Sequence, residues 1–122
     1  MSHRILIVDD NKLIRHLLRS WLEQESEWEI CGEAENGKVA VEGVEELRPD
    51  IVILDLQMPV MNGLEAARQI RQIAPQTALI MFTVHSSEQL LKEARASGIA
   101  DVVSKCEMLS EHLLTALKRA CA

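Results

Sequence analysis

The chain reads as an α/β protein: five β-α units in which a parallel sheet is covered by helices on both faces. Three observations predict this. Ile5-Leu6-Ile7-Val8, Ile51-Val52-Ile53-Leu54 and Ala78-Leu79-Ile80-Met81-Phe82 are unbroken apolar runs, the pattern of strands buried on both faces. Stretches with apolar residues at helical spacing separate them. The strict alternation of the two patterns calls for parallel strands joined by right-handed helical crossovers.

The elements follow in order. Ile5–Val8 is the first strand, ended by Asp9-Asp10-Asn11. Ile14, Leu17, Leu18, Trp21 and Leu22 then form an apolar stripe, with Asn11 as N-cap. Trp28 to Ala34 alternates apolar and polar residues, which suits an edge strand. Asn36-Gly37 turns the chain into a helix carrying Ala40, Val41, Val44 and Leu47, which Arg48-Pro49 stops. The third strand, Ile51–Leu54, runs into Asp55 and the turn Met61-Asn62-Gly63. A helix from about Asn62 presents Ala66, Ala67, Ile70 and Ile73 and ends at Pro75. The fourth strand, from Ala78, finishes at Thr83. Ser86 with Gln89 resembles a capping box for a fourth helix, in which Leu90, Leu91 and Ala94 face inward and Gly98 takes the C′ position. A short strand from Ala100 to Ser104 ends at Lys105, and a last helix carries Leu109, Leu113, Ala116 or Leu117, and Ala120.

Composition narrows the function. With 122 residues and 48 % hydrophobic content, the chain is one domain with an adequate core. A net charge of -6 argues against nonspecific nucleic-acid binding, which depends on Lys and Arg contacts to phosphate. No apolar run approaches a membrane span, and the start lacks the apolar stretch of a signal peptide. Cys31, Cys106 and Cys121 are widely spaced and odd in number, which fits reduced thiols in a cytoplasmic protein. Cys31 reads as a small core residue.

The polar residues at the strand ends carry the chemistry. Asp9-Asp10, Asp55, Thr83 and Lys105 each follow or close a strand. In open α/β sheets ligands bind beyond the carboxyl ends of the strands. Any one of these residues has an ordinary explanation as a helix starter, strand end or solvated lysine; their joint placement is harder to explain that way. Three carboxylates brought together repel unless a cation neutralises them. Hard oxygen ligands at an open edge favour Mg²⁺ over zinc. An aspartate kept ionised beside such an ion can attack phosphorus, with lysine and threonine as donors to the phosphoryl oxygens.

The set Asp9-Asp10, Asp55-Leu56-Gln57-Met58-Pro59 with Asn62-Gly63, Thr83 and Lys105 resembles, over the whole chain, the receiver domain of bacterial two-component response regulators. The resemblance implies a flavodoxin-like doubly wound sheet of strand order 2-1-3-4-5. It implies that Asp55 is the phosphoacceptor and that Asp10, Asp55 and the backbone carbonyl of Gln57 ligate Mg²⁺, with Asp9 acting mainly through water. Lys105 would pair with Asp55 and then with the phosphoryl group, and Thr83 would hydrogen-bond that group. The partners implied are a sensor histidine kinase or phosphotransfer protein, and a second copy of the chain on phosphorylation. Leu13, Ile14 and Leu56 near the acidic edge are candidates for docking the kinase. The chain would be a switch with no enzymatic turnover of outside substrates.

The sequence departs from the commonest receiver pattern in three places. Val102 stands where many receivers have an aromatic residue, Cys106 where many have proline, and Val84 where alanine or glycine is frequent. Gln57 and His85 occupy positions that, by resemblance, tune access of water to the acyl phosphate; His85 reads equally as a solvated loop residue. Thr83-Val84-His85-Ser86 looks most like receivers that carry a helix-turn-helix output domain. Residues 1–122 read as a single receiver without that output domain, either standing alone or cut from a longer regulator. Three rival readings remain. A haloacid-dehalogenase-like phosphatase needs a second aspartate where Gln57 stands. A flavodoxin needs a Ser/Thr/Gly-rich loop where Asp9-Asp10-Asn11-Lys12 stands. A degenerate receiver would bind partners without phosphorylation.

Overall fold

Each central strand has two apolar faces, and that decides the architecture. The computed structural model describes residues 3–84, 87–105 and 111–121. Five strands, β1 (His3–Val8), β2 (Trp28–Ala34), β3 (Ile51–Leu54), β4 (Ala78–Thr83) and β5 (Asp101–Ser104), pair in parallel in the order β2-β1-β3-β4-β5. Five helices connect and follow them: α1 (Lys12–Leu22), α2 (Gly37–Leu47), α3 (Gly63–Ile73), α4 (Glu88–Ala96) and α5 (Glu111–Ala120). This is the flavodoxin-like arrangement that the resemblance implied.

Successive residues of a strand point to opposite faces. Ile5, Ile7, Ile51, Ile53, Ile80, Phe82 and Val103 pack against Leu18 and Leu22 of α1 and Leu113, Ala116 and Leu117 of α5. Leu6, Val8, Val52, Leu54, Leu79 and Met81 pack against α2, α3 and α4 through Ala40, Val44, Ala67, Ile70, Leu90 and Ala94. The sheet is thus the middle of three layers, and β3 is buried at all four positions.

β2 lies at the edge, as its polar alternation predicts. Its pairing to β1 shifts between Ile5 and Leu6, so that Ile5 faces Ile30 while Leu6 faces Gly32. Cys31 is the extra residue of this bulge. The slip explains why Trp28 and Ile30 join the α1/α5 core whereas Cys31 and Ala34 join the opposite one. Cys31 is half-buried against that core, and its thiol donates to the carbonyl of Ile5 at 3.4 Å.

The helix starts follow side-chain caps. Asn11 accepts from the amides of Leu13 and Ile14, Asn36 from Val39 and Asn62 from Glu65. For α4 the cap is Ser87, whose hydroxyl accepts from the Leu90 amide at 3.1 Å. The cap thus falls one residue after the expected Ser86, with Leu90 three residues on, and Gln89 donates to Glu93 one turn further along. Serines at both positions made the sequence ambiguous, and the register of Leu90 and Ala94 on the core decides between them. Leu91 is only partly buried. Gly98 closes α4 at φ 91° as expected for C′. Ser86, His85, Cys106 and Leu109 lie outside the described residues.

Candidate functional site

Parallel pairing brings the strand ends to one edge. Val8 faces Leu54 across the β1–β3 ladder, so Asp9 and Asp55, the next residues, emerge side by side. Their backbones are pinned: the Asp55 amide donates to the Val8 carbonyl and the Asp9 amide to the Ala34 carbonyl, both at 3.0 Å. Carboxylate oxygens of Asp9, Asp10 and Asp55 all come within 4.8 Å of one another. Asp9 and Asp55 are buried at 2 % and 6 % exposure, whereas Asp10 faces solvent.

Lys105, just past β5, crosses to this cluster. Its Nζ lies 2.6 Å from Asp9 Oδ2 and 3.2 Å from Asp55 Oδ2. The other oxygens are also engaged: Asp9 Oδ1 accepts from the Asn11 amide at 2.9 Å, and Asp55 Oδ1 from the Leu56 amide at 2.8 Å. Thr83 is buried at the end of β4, paired in register with Ser104 of β5. Strand order 3-4-5 thus delivers an acid, a hydroxyl and a cation to one rim. The resemblance placed Lys105 beside Asp55; its shorter contact is to Asp9.

Backbone packing shapes the loop after Asp55. The Gly63 amide donates to the Leu56 carbonyl at 2.8 Å, folding α3 back over the strand end. A Cβ on Gly63 would lie 2.2 Å from the Asp55 carbonyl oxygen, so only glycine permits this approach. Gly37, at the start of α2, presses equally hard on the loop: its amide donates to the Met61 carbonyl at 3.1 Å, and a Cβ there would lie 2.5 Å from that oxygen. Between them Val60 takes the left-handed conformation at φ 70°, unusual for a β-branched residue.

The charges of the cluster act on one another. Burial drives the Asp55 carboxyl above its ordinary value; Lys105 pulls it down, but the neighbouring Asp9 carboxylate pushes it up again. Burial works against the Lys105 ammonium, yet its contacts with Asp9 and Asp55 hold it above its ordinary value. Among the described residues, the Lys105 ammonium contacts two of the three clustered carboxylates, Asp9 and Asp55. A hard divalent cation fits the donor set, because oxygen ligands at an open edge match the preference of Mg²⁺ for a few carboxylates.

Of the residues singled out in the sequence, Asp9, Asp10, Asp55 and Lys105 meet directly. Gln57 and Val84 are exposed on the loops beside them. Val102 is partly buried against the α2/α3/α4 core. Leu13 is exposed at 62 %, but Ile14 and Leu56 are half-buried and pack onto the core, so the apolar edge is narrower than expected. Sequence reasoning missed Arg15, whose guanidinium reaches back to the main-chain carbonyl of Asp9, and the Asn11 amide bond to the Asp9 carboxylate. A basic residue one turn into the helix that follows Asp9-Asp10 was the available signal.

A family model described as the response regulator receiver domain matches residues 5–118. The chain is 38 % identical over 105 residues to the chemotaxis protein CheY of Thermotoga maritima, covering 86 % of this chain and 87 % of that one. It is 44 % identical over 96 residues to the transcriptional regulatory protein YdfI of Bacillus subtilis, covering 79 % of this chain but 45 % of the relative, so it spans under half of that regulator's length. Among solved structures, a chain of the CheX-CheY-BeF3-Mg+2 complex from Borrelia burgdorferi matches with a TM-score of 0.92 at 25 % identity, over 98 % of this chain and 90 % of that chain.

Proposed function

The chain belongs to the response regulator receiver domain family, and from that premise we propose that it is a phosphoacceptor switch in which Asp55 receives a phosphoryl group from a phosphohistidine. The observation that carries the proposal is the buried Asp55 carboxylate, raised by its surroundings and facing both Lys105 and two further aspartates. An oxygen of Asp55 forms the new P–O bond as the P–N bond breaks and the imidazole of the donor leaves. Lys105 stabilises the incoming charge, and the Thr83 hydroxyl, at the end of the adjacent strand, hydrogen-bonds a phosphoryl oxygen.

Mg²⁺, when bound, neutralises charge between the carboxylates and the phosphoryl oxygens. Asp10, Asp55 and the carbonyl of Gln57 would hold it. Asp9, which already holds Lys105 and the Asn11 amide, would act through water. Gln57, Val84 and His85 govern how fast water reaches the acyl phosphate. The donor is a sensor kinase or phosphotransfer protein of the cytoplasm, and the added charge, near -2 at neutral pH, is read by Thr83 and Lys105 and shifts α4 and β5, exposing or hiding a surface for an effector or a second copy. A near-complete switch needs about 5.5 kcal/mol of differential interaction between states. Val102 supplies no aromatic rotamer for that readout, which leaves Thr83 and Lys105 to carry it.

Incubation with Mg²⁺ and acetyl phosphate or phosphoramidate, read by intact mass, tests the proposal. One added phosphoryl group is expected, lost with EDTA and in Asp55→Asn. No gain from any donor, candidate kinases included, would identify a degenerate receiver that binds partners unphosphorylated.

A further inference from the structure

Arg15 lies on the first turns of α1, outside the acidic cluster, yet its side chain is only 13 % exposed. Its Nη1 donates to the main-chain carbonyl of Asp9, and its Nε lies 3.0 Å from Glu33 Oε1 at the end of β2. The second oxygen of Glu33 is 2.8 Å from Nε of Arg19, one helical turn further along, and Arg19 Nη1 in turn lies 3.0 Å from Glu23. Burial alone would raise the Glu33 carboxyl, but hydrogen bonds from Arg19 and Arg15 hold it below its ordinary value.

The Asp9 carbonyl belongs to the peptide that joins Asp9 to Asp10. Fixing that oxygen fixes the peptide plane and hence the direction in which Asp10 leaves the strand. Asp9 is otherwise tied through its amide to Ala34, the neighbour of Glu33. Asp10 is exposed, so its approach to the other carboxylates rests on backbone direction. We infer that Arg15, anchored by Glu33, is a positioning residue for the cation site, holding the Asp9–Asp10 peptide so that Asp10 meets Asp55 around the metal. The inference rests on the Mg²⁺ reading above. Groups that orient metal ligands without touching the metal typically account for 10–100-fold in affinity.

Calorimetric titration of Mg²⁺ into the wild-type chain, Arg15→Gln, Glu33→Gln and Glu23→Gln tests it. Arg15→Gln is expected to weaken Mg²⁺ binding about 10-fold or more, while acetyl phosphate labelling returns to the wild-type plateau at saturating Mg²⁺. A merely structural role would lower the plateau and leave the Mg²⁺ midpoint in place, and would overturn the inference. Glu33→Gln, which loosens the anchor but leaves Arg15, is expected to weaken binding in the same direction by less, and serves if Arg15→Gln fails to fold. Glu23→Gln, at the far end of the same network, is expected to bind Mg²⁺ as wild type does. Unchanged affinity in both Arg15→Gln and Glu33→Gln overturns the inference with the Mg²⁺ reading intact. Absence of Mg²⁺ binding by the wild type sinks both.

Discussion

Replacing Asp55 by asparagine should stabilise the metal-free fold. Asp55 Oδ2 is 3.2 Å from the Lys105 ammonium, an attraction of about 5 kcal/mol at an effective dielectric of ~20. An Asp9 oxygen within 4.8 Å repels by at least about 3.5 kcal/mol on the same scale, and exposed Asp10 adds a screened share. Attraction and repulsion nearly cancel. What remains is the cost of burying a charge, offset only in part by the Leu56 amide, leaving a deficit of roughly 1–2 kcal/mol. Asparagine keeps the volume and the acceptor and removes the charge, while Lys105 keeps Asp9 at 2.6 Å. At roughly 3–5 °C per kcal/mol for a chain of this size, melting should rise by about 3–10 °C in EDTA at neutral pH. The pH dependence has a definite sign. A carboxyl raised in the folded state favours folding while protonated, and that advantage is lost as pH rises through its folded value. The gap between Asp55→Asn and wild type should therefore narrow on acidification toward the ordinary carboxylate range. Mg²⁺ should close it from the other side, by stabilising the wild type more than the variant. Thermal melts followed by circular dichroism, with and without Mg²⁺, provide the measurement. A variant that melts below wild type in EDTA at neutral pH, or a gap indifferent to acid, would mean that the Asp55 charge does not destabilise the metal-free fold.

Three further outcomes are expected. Val60→Gly should stabilise by about 0.5–1 kcal/mol in chemical denaturation, because the left-handed strain relieved outweighs the entropy glycine adds to the unfolded chain, and a side chain 76 % exposed gives up little packing. Val60→Ala, which keeps a Cβ, should gain less. Gly63→Ala should cost about 3 kcal/mol or more and abolish acetyl phosphate labelling together with Mg²⁺ binding, since its Cβ meets the Asp55 carbonyl at 2.2 Å and the strand end must move. Ser87→Ala should cost about 1 kcal/mol by the loss of the α4 cap, measurable as faster hydrogen exchange in the first turn of that helix, with labelling at Asp55 retained.

Much of the site was legible because its residues stand at strand ends, and strand ends are visible as the point where an apolar run stops. Asp9, Asp55, Thr83 and Lys105 were all found that way. The Ser87 cap was not, because two adjacent serines offer the same chemistry and only the packing of Leu90 distinguishes them. The β2 bulge was also hidden: the slip at Cys31 changes which face later residues occupy, and single-strand alternation does not report pairing. Ile14 and Leu56 looked available for docking, yet their neighbours in space bury them in part.

The α/β class, the five β-α units and the convergence of acids, hydroxyl and amine on one edge can be read along the chain, because burial periodicity is a one-dimensional property. The distances within the site come from packing. Lys105 sits nearer Asp9 than Asp55, Arg15 clasps the Asp9 carbonyl from the helix that follows it while Glu33 of β2 anchors it, and Gly37 and Gly63 press the loop over Asp55. Most of these contacts join residues from different elements or depend on a fraction of an ångström of backbone approach. Strand register and helix packing fix such separations, and no periodicity along the chain encodes them.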